Sequence, residues 1–121
     1  EDQALAGSSF GGLFALYTLF HHPDTFDRYI IGSPSIAWDE GVTFAYESNF
    51  AASNAAIAAR VFMSVGALEE EDTIANMQRL AERLQERGYD SLELETHIFE
   101  GETHLSVAPA AMSRGLRVVF G

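Results

Sequence analysis

The period of apolar and polar positions changes several times along the chain, and each change marks an element. Ala4-Leu5-Ala6 is a short apolar stretch that runs into Gly7-Ser8-Ser9-Phe10-Gly11-Gly12, after which Leu13 to Phe20 is apolar almost all round. This order predicts a strand, a tight turn and a buried helix. His21-His22-Pro23 closes the helix, because proline cannot continue one and restricts the residue before it. Phe26 to Ile31 reads as a second apolar strand, ended by Gly32-Ser33-Pro34-Ser35. From Ile36 to Ala59 the pattern is mixed, with Trp38, Phe44, Tyr46 and Phe50 among Asp39, Glu40, Glu47 and Asn49. An insertion of loops with one alanine-rich helix is expected there.

Val61 to Val65 is an apolar run broken only by Ser64, with β-branched residues, as in a strand covered on both faces. Gly66-Ala67-Leu68-Glu69 follows as a loop. Ile74, Met77, Ala81 and Leu84 keep the spacing of one helix face, with Asp72 or Thr73 as the expected N-cap and Gly88 as the C-terminal cap. Leu92, Leu94, Thr96 and Ile98 alternate with Glu93, Glu95 and His97, which predicts a strand with one solvated face near a sheet edge. A loop from Glu100 to Leu105 leads to a last helix, Ala108 to Phe120. Strands alternating with helices imply an α/β fold: a parallel sheet wound with right-handed crossovers and helices on both faces. In such sheets chemistry gathers at the carboxyl ends of the strands.

Charge narrows the partners. The net charge is −11 and all seven basic residues are arginine. Arg28, Arg60, Arg79, Arg83, Arg87, Arg114 and Arg117 are scattered among eighteen carboxylates, so the cation cluster that a phosphate backbone requires is missing and nucleic acid is not an expected partner. The same surplus disfavours anionic membranes, and no apolar run approaches the roughly 18 residues of a membrane span. Without cysteine the chain has no disulfide, thiolate nucleophile or Cys-ligated zinc. Glu1 to Ala6 shows neither an initiating Met nor a signal-peptide pattern, and the chain is expected to begin inside a longer protein.

Gly7-Ser8-Ser9-Phe10-Gly11 fits G-x-S-x-G, in which the central serine occupies a strained strand-to-helix turn and the flanking glycines admit close backbone. Ser9 is therefore the candidate nucleophile, and the first N–H groups of the following helix, that of Phe10 among them, are candidate oxyanion donors. A serine hydroxyl needs a base to take its proton. His104, in the loop Gly101-Glu102-Thr103-His104-Leu105-Ser106 after the last strand, is expected to swing its imidazole over Ser9 on a flexible segment. His21, His22 and His97 need only surface roles. A carboxylate between the two in chain order would orient the imidazole. Glu69 sits directly after the Val61 to Val65 strand, but Glu70, Glu71 and Asp72 continue the same run, as a solvated helix start would, and Asp39 lies after an earlier strand. The third position stays open among these five.

With these segments in view, the chain resembles the putative-esterase family of α/β-hydrolases, the group of esterase D-like and enterochelin-esterase-like enzymes. The segments that carry the likeness are the elbow, Gly32-Ser33-Pro34-Ser35-Ile36-Ala37-Trp38-Asp39, Val65-Gly66-Ala67-Leu68-Glu69 and Gly101-Glu102-Thr103-His104. The likeness runs over essentially the whole chain. It implies a serine esterase in which Ser9 attacks an ester carbonyl, His104 is the base and Glu69 the carboxylate, with no metal or organic cofactor and a small-molecule ester as substrate. Siderophore trilactones and short-chain or aromatic acyl esters both fall within it. Relatives usually carry a bulky aromatic pair after Ser-Pro-Ser, whereas Ala37 precedes Trp38 here, a departure at the expected wall of the substrate pocket. The family's domain is about twice this length, so the resemblance makes residues 1–121 the C-terminal half of a catalytic domain. The strands before the elbow, and the loop that supplies a second oxyanion donor, are expected from an N-terminal half. A non-catalytic binding domain and an acyltransferase using the same residues are the alternatives.

Overall fold

A computed structural model describes residues 2–121. Four strands, β1 (Ala4–Ser8), β2 (Arg28–Gly32), β3 (Ala56–Gly66) and β4 (Asp90–Phe99), alternate with four helices, α1 (Phe10–His21), α2 (Trp38–Ala51), α3 (Glu71–Arg87) and α4 (Ala108–Phe120). The strands form one parallel sheet in the order β1-β2-β3-β4. At its carboxyl end Ser8 pairs with Gly32, Gly32 with Ser64, and Ser64 with His97. All four following loops therefore open on the same side. Among the described residues no helix is long and apolar enough to cross a membrane.

Alternation along β2 and β3 divides the core between the two sheet faces. Tyr29, Ile31, Val61, Met63 and Val65 pack with Ala15, Leu16 and Leu19 of α1 and with Met77, Leu80 and Leu84 of α3. Ile30 and Phe62 point the other way and meet Val119 of α4. Helix α3 ends as its sequence requires, with Gly88 left-handed at φ 63°. Its start differs from the expected one: Glu70 is the N-cap and the helix begins at Glu71, ahead of Asp72 and Thr73. Helix α1 is apolar on more than its packed side, and Phe10 and Phe14 are 62% and 59% exposed.

The segment between β2 and β3 is where the pattern misleads. The helix there is the aromatic-rich stretch Trp38–Ala51, while the alanine-rich residues form the start of β3. Ile57 and Ala59 are buried and Ala56 and Ala58 exposed, the two-residue period of a strand. Pairing of Ala56 with Asp90 and Ala59 with Leu92 overrides alanine's intrinsic helix preference. Strand β2 also begins later than the apolar run suggests, at Arg28 instead of Phe26. At the start of α2 the backbone is left-handed at Asp39 (φ 51°), Glu40 (φ 55°) and Gly41 (φ 74°), a conformation costing roughly 1–2 kcal/mol for each non-glycine residue.

Helix α2 is held to its neighbours by a buried carboxylate. Glu47 is fully buried; it accepts from Arg87 Nε at 2.9 Å, Arg87 Nη2 at 3.2 Å and the Tyr89 hydroxyl at 2.7 Å. One side chain thus joins α2, α3 and the entry to β4. Replacing Glu47 with Ala strands the Tyr89 hydroxyl and leaves a void, and should cost about 3 kcal/mol in a urea unfolding curve. A loss below about 0.5 kcal/mol, the ordinary scale of a surface substitution, would show that the cluster holds nothing together.

Candidate active site

Each of the four loops at the carboxyl end of the sheet brings one polar side chain to the same place. Ser9 follows β1, Ser33 follows β2, Glu69 follows β3 and His104 follows β4. The turn at Ser9 is sharp, with φ 59° and ψ −121°, in the region that favours glycine. It is fixed from both sides: Ser9 N–H donates to Gly32 O at 3.0 Å, and Ser9 O accepts from Leu13 N–H at 3.1 Å and Ser35 N–H at 3.2 Å. The two motif glycines do not share one role. A Cβ on Gly7 would lie 2.4 Å from the carbonyl oxygen of Gly11, whereas one on Gly11 would meet nothing within 4 Å. Gly7 is required bare because the first turn of α1 folds back onto it. Phe10 is the first residue of α1, so its N–H belongs to the helix-terminal donors without an intrahelical acceptor.

The loop bearing His104 is braced, in contrast to the flexible arm expected. Thr103 Oγ1 accepts from the N–H groups of Leu105 and Ser106, both at 3.2 Å, and Ser106 Oγ accepts from Thr103 N–H at 2.8 Å. Ser106 Oγ also donates to Glu102 Oε1 at 2.7 Å. Two backbone bonds stitch this loop to the one after β3, from Ala67 N–H to Phe99 O at 2.8 Å and from Leu68 N–H to Glu102 O at 3.0 Å. The loops approach closely at Gly66, where a Cβ would lie 2.4 Å from Glu102 O.

The Ser9 hydroxyl is hydrogen-bonded to His104 Nε2, and Nδ1 of the same ring lies 2.6 Å from Glu69 Oε1. The imidazole is half exposed while the Glu69 side chain is 1% exposed. Oε2 of Glu69 accepts from Gly66 N–H at 2.7 Å and from the Ser33 hydroxyl at 2.6 Å. Burial pushes the Glu69 carboxyl up, but the Gly66 amide, the Ser33 hydroxyl and His104 together outweigh it and hold the group below the usual carboxylate range. The carboxylate is therefore ionised beside an imidazole whose other nitrogen meets a hydroxyl.

Of the five carboxylates considered, this arrangement uses Glu69. Glu70 caps α3, Glu71 and Asp72 form its exposed first turn, and Asp39 is exposed in the left-handed start of α2. His21 stacks on Tyr17 at the far end of α1, and His97 lies against Phe99 on β4. Ser33 was visible in the sequence only as part of a Ser-Pro-Ser turn. Its contact with Glu69 spans 36 residues, and no local pattern announces it. Among the described residues no cluster of His, Asp and Glu is arranged to hold a metal ion.

A parallel sheet carrying a serine on a strained strand-to-helix turn, with helices on both faces, defines the α/β-hydrolase fold, of which this chain is one part. Residues 1–107 match the family described as "Putative esterase". The chain belongs to that family. It is 35% identical to the ferri-bacillibactin esterase BesA of Bacillus subtilis over 97% of this chain and 42% of that protein. Among solved structures, the BES protein of Bacillus cereus superposes with a TM-score of 0.87 at 38% identity, covering 97% of this chain and 44% of that one. The siderophore hydrolase EstA of Aspergillus nidulans superposes at 0.78 with 28% identity, over 97% and 47%. The chain spans less than half the length of these relatives.

Proposed function

We propose that the protein is a carboxylic ester hydrolase working through an acyl-serine intermediate. The observation that carries the reading is the continuous line from Ser9 Oγ through both ring nitrogens of His104 to the buried carboxylate of Glu69. In this mechanism the Ser9 oxygen attacks the ester carbonyl as His104 Nε2 takes its proton. Glu69 holds Nδ1–H and stabilises the imidazolium that forms. Negative charge on the former carbonyl oxygen develops at the N-terminus of α1, where the Phe10 N–H donates to it. Collapse of the tetrahedral intermediate breaks the bond to the alcohol, which leaves with the proton from His104. Water then attacks the acyl carbonyl as His104 Nε2 takes its proton, and collapse breaks the bond to Ser9 Oγ, which recovers that proton as the acid leaves.

The relatives named as siderophore hydrolases favour a siderophore-type ester as substrate. Four of the seven arginines are paired with carboxylates, Arg28 with Asp2, Arg60 with Glu93, and Arg83 and Arg87 with Glu47, which leaves little positive charge in this chain for an anionic ligand. The relatives' greater length supports a site completed by an N-terminal half of the same fold that supplies the second oxyanion donor.

A fluorophosphonate probe tests the reading. The adduct should map to Ser9 in the native protein, and prior modification should block release of p-nitrophenol from p-nitrophenyl butyrate. Labelling confined to another residue, or hydrolysis that survives labelling of Ser9, would refute it.

A further inference from the structure

We propose that Ser33 is a positioning residue for this reaction, its hydroxyl fixing the plane and direction in which the Glu69 carboxylate faces His104. The proposal rests on the acyl-serine reading above and adds a residue outside the nucleophile, base and acid.

The terminal torsion of a glutamate is broad, so nothing in the side chain itself fixes the plane of its carboxylate. Here two donors converge on Oε2, the Gly66 N–H at 2.7 Å and the Ser33 hydroxyl at 2.6 Å. With one oxygen held by both donors the carboxylate plane is fixed, and the other oxygen is aimed at His104 Nδ1, 2.6 Å away. Gly66 belongs to the same tight turn as Glu69, whose own N–H bonds back to Gly66 O at 3.1 Å. That donor moves with the acid and cannot alone set its direction in space. Ser33 comes from the neighbouring strand and supplies the external reference.

The backbone at Ser33 makes the same point independently. It is 2% exposed and has φ 41°, a conformation in which glycine is the unstrained choice. Its N–H is tied to Ser64 O at 2.7 Å, so the residue is locked between β2 and β3. A strained, buried serine whose hydroxyl donates to the Glu69 carboxylate is explained by that contact. Strain of this kind gathers where a site must be held in one geometry.

Two substitutions separate positioning from a structural role. Ser33→Ala removes the hydroxyl and keeps the strain; Ser33→Gly removes the hydroxyl and relieves it. Their effects on melting temperature should therefore diverge, while both should lower kcat for p-nitrophenyl butyrate by about 10- to 100-fold with KM little changed. Both should also broaden or abolish the low-field proton resonance of the His104–Glu69 hydrogen bond, recorded in a Ser9→Ala background so that it reports independently of turnover. Native kcat in Ser33→Gly, or a loss of kcat that follows melting temperature across the pair, would overturn the proposal. So would an unchanged resonance. Failure of the acyl-serine reading shows elsewhere, as turnover that persists in Ser9→Ala.

Discussion

Replacing Ser9 with Ala is expected to lower kcat for p-nitrophenyl butyrate by roughly 10⁴- to 10⁶-fold. In the proposed mechanism the Ser9 oxygen forms the new bond, and the surrounding donors can only assist attack by water once it is gone. Replacing His104 with Ala should cost about as much, because an unassisted serine hydroxyl is a weak nucleophile near neutral pH. The double variant should be hardly slower than either single one, since the pair act as a unit. Stopped-flow release of p-nitrophenol measures all three, and circular dichroism checks the fold. Losses that multiply in the double variant would mean that the two residues act independently and that their hydrogen bond is incidental.

Glu69→Ala should rank next, with kcat lower by about 10⁴-fold and KM moved far less. It removes the acceptor of the Gly66 N–H, the Ser33 hydroxyl and His104 Nδ1 together. The imidazole then loses the partner that selects its tautomer and stabilises its charge. The same residue predicts an acid-side change in stability. Its carboxyl is held below the usual range in the folded chain, so near its unfolded value of about 4.3 the unfolded state binds the extra proton. Its contribution is complete above that pH and fades as pH falls through the lower folded value. Urea unfolding across the acid range should show a shallower decline in Glu69→Gln than in the native protein. Identical slopes would remove Glu69 from the acid-labile groups, and a Glu69→Ala enzyme with native kcat would assign the imidazole another orienting group.

Much of the architecture is legible from periodicity. The alternation of Leu92 to Ile98, the one-faced spacing of Ile74 to Leu84 and the run Ala108 to Phe120 each correspond to an element. Where local signals conflict with tertiary pairing they fail, as at Ala56 to Ala59, whose strand character comes from β4 alongside. The candidate site divides similarly. Ser9 and His104 stand out because a glycine-flanked turn and a loop after the last strand are local features. The third group does not, because a carboxylate at a helix start is favoured by the helix dipole whether or not it serves an imidazole. Only the turn that returns Glu69 N–H to Gly66, and the β3–β4 pairing, single out one of the five. Ser33 lies beyond sequence reasoning altogether, as its partner is in the loop after another strand.

One group per strand also means that the spacing of the site is set by how the strands slide past one another. A step of one residue along a strand is about 3.3 Å, longer than the 2.6 Å contact between Glu69 and His104, so even a partial slip of β4 on β3 parts the imidazole from its carboxylate. The unbroken run of partners from Ala59–Leu92 to Gly66–Phe99 resists that slip, and the irregularity between Ala56 and Ala59 lies at the opposite end. Among the described strands β4 has a neighbour on one side only. Fraying of that outermost ribbon would silence the chemistry while the interior around Leu16, Tyr29 and Met63 was still intact.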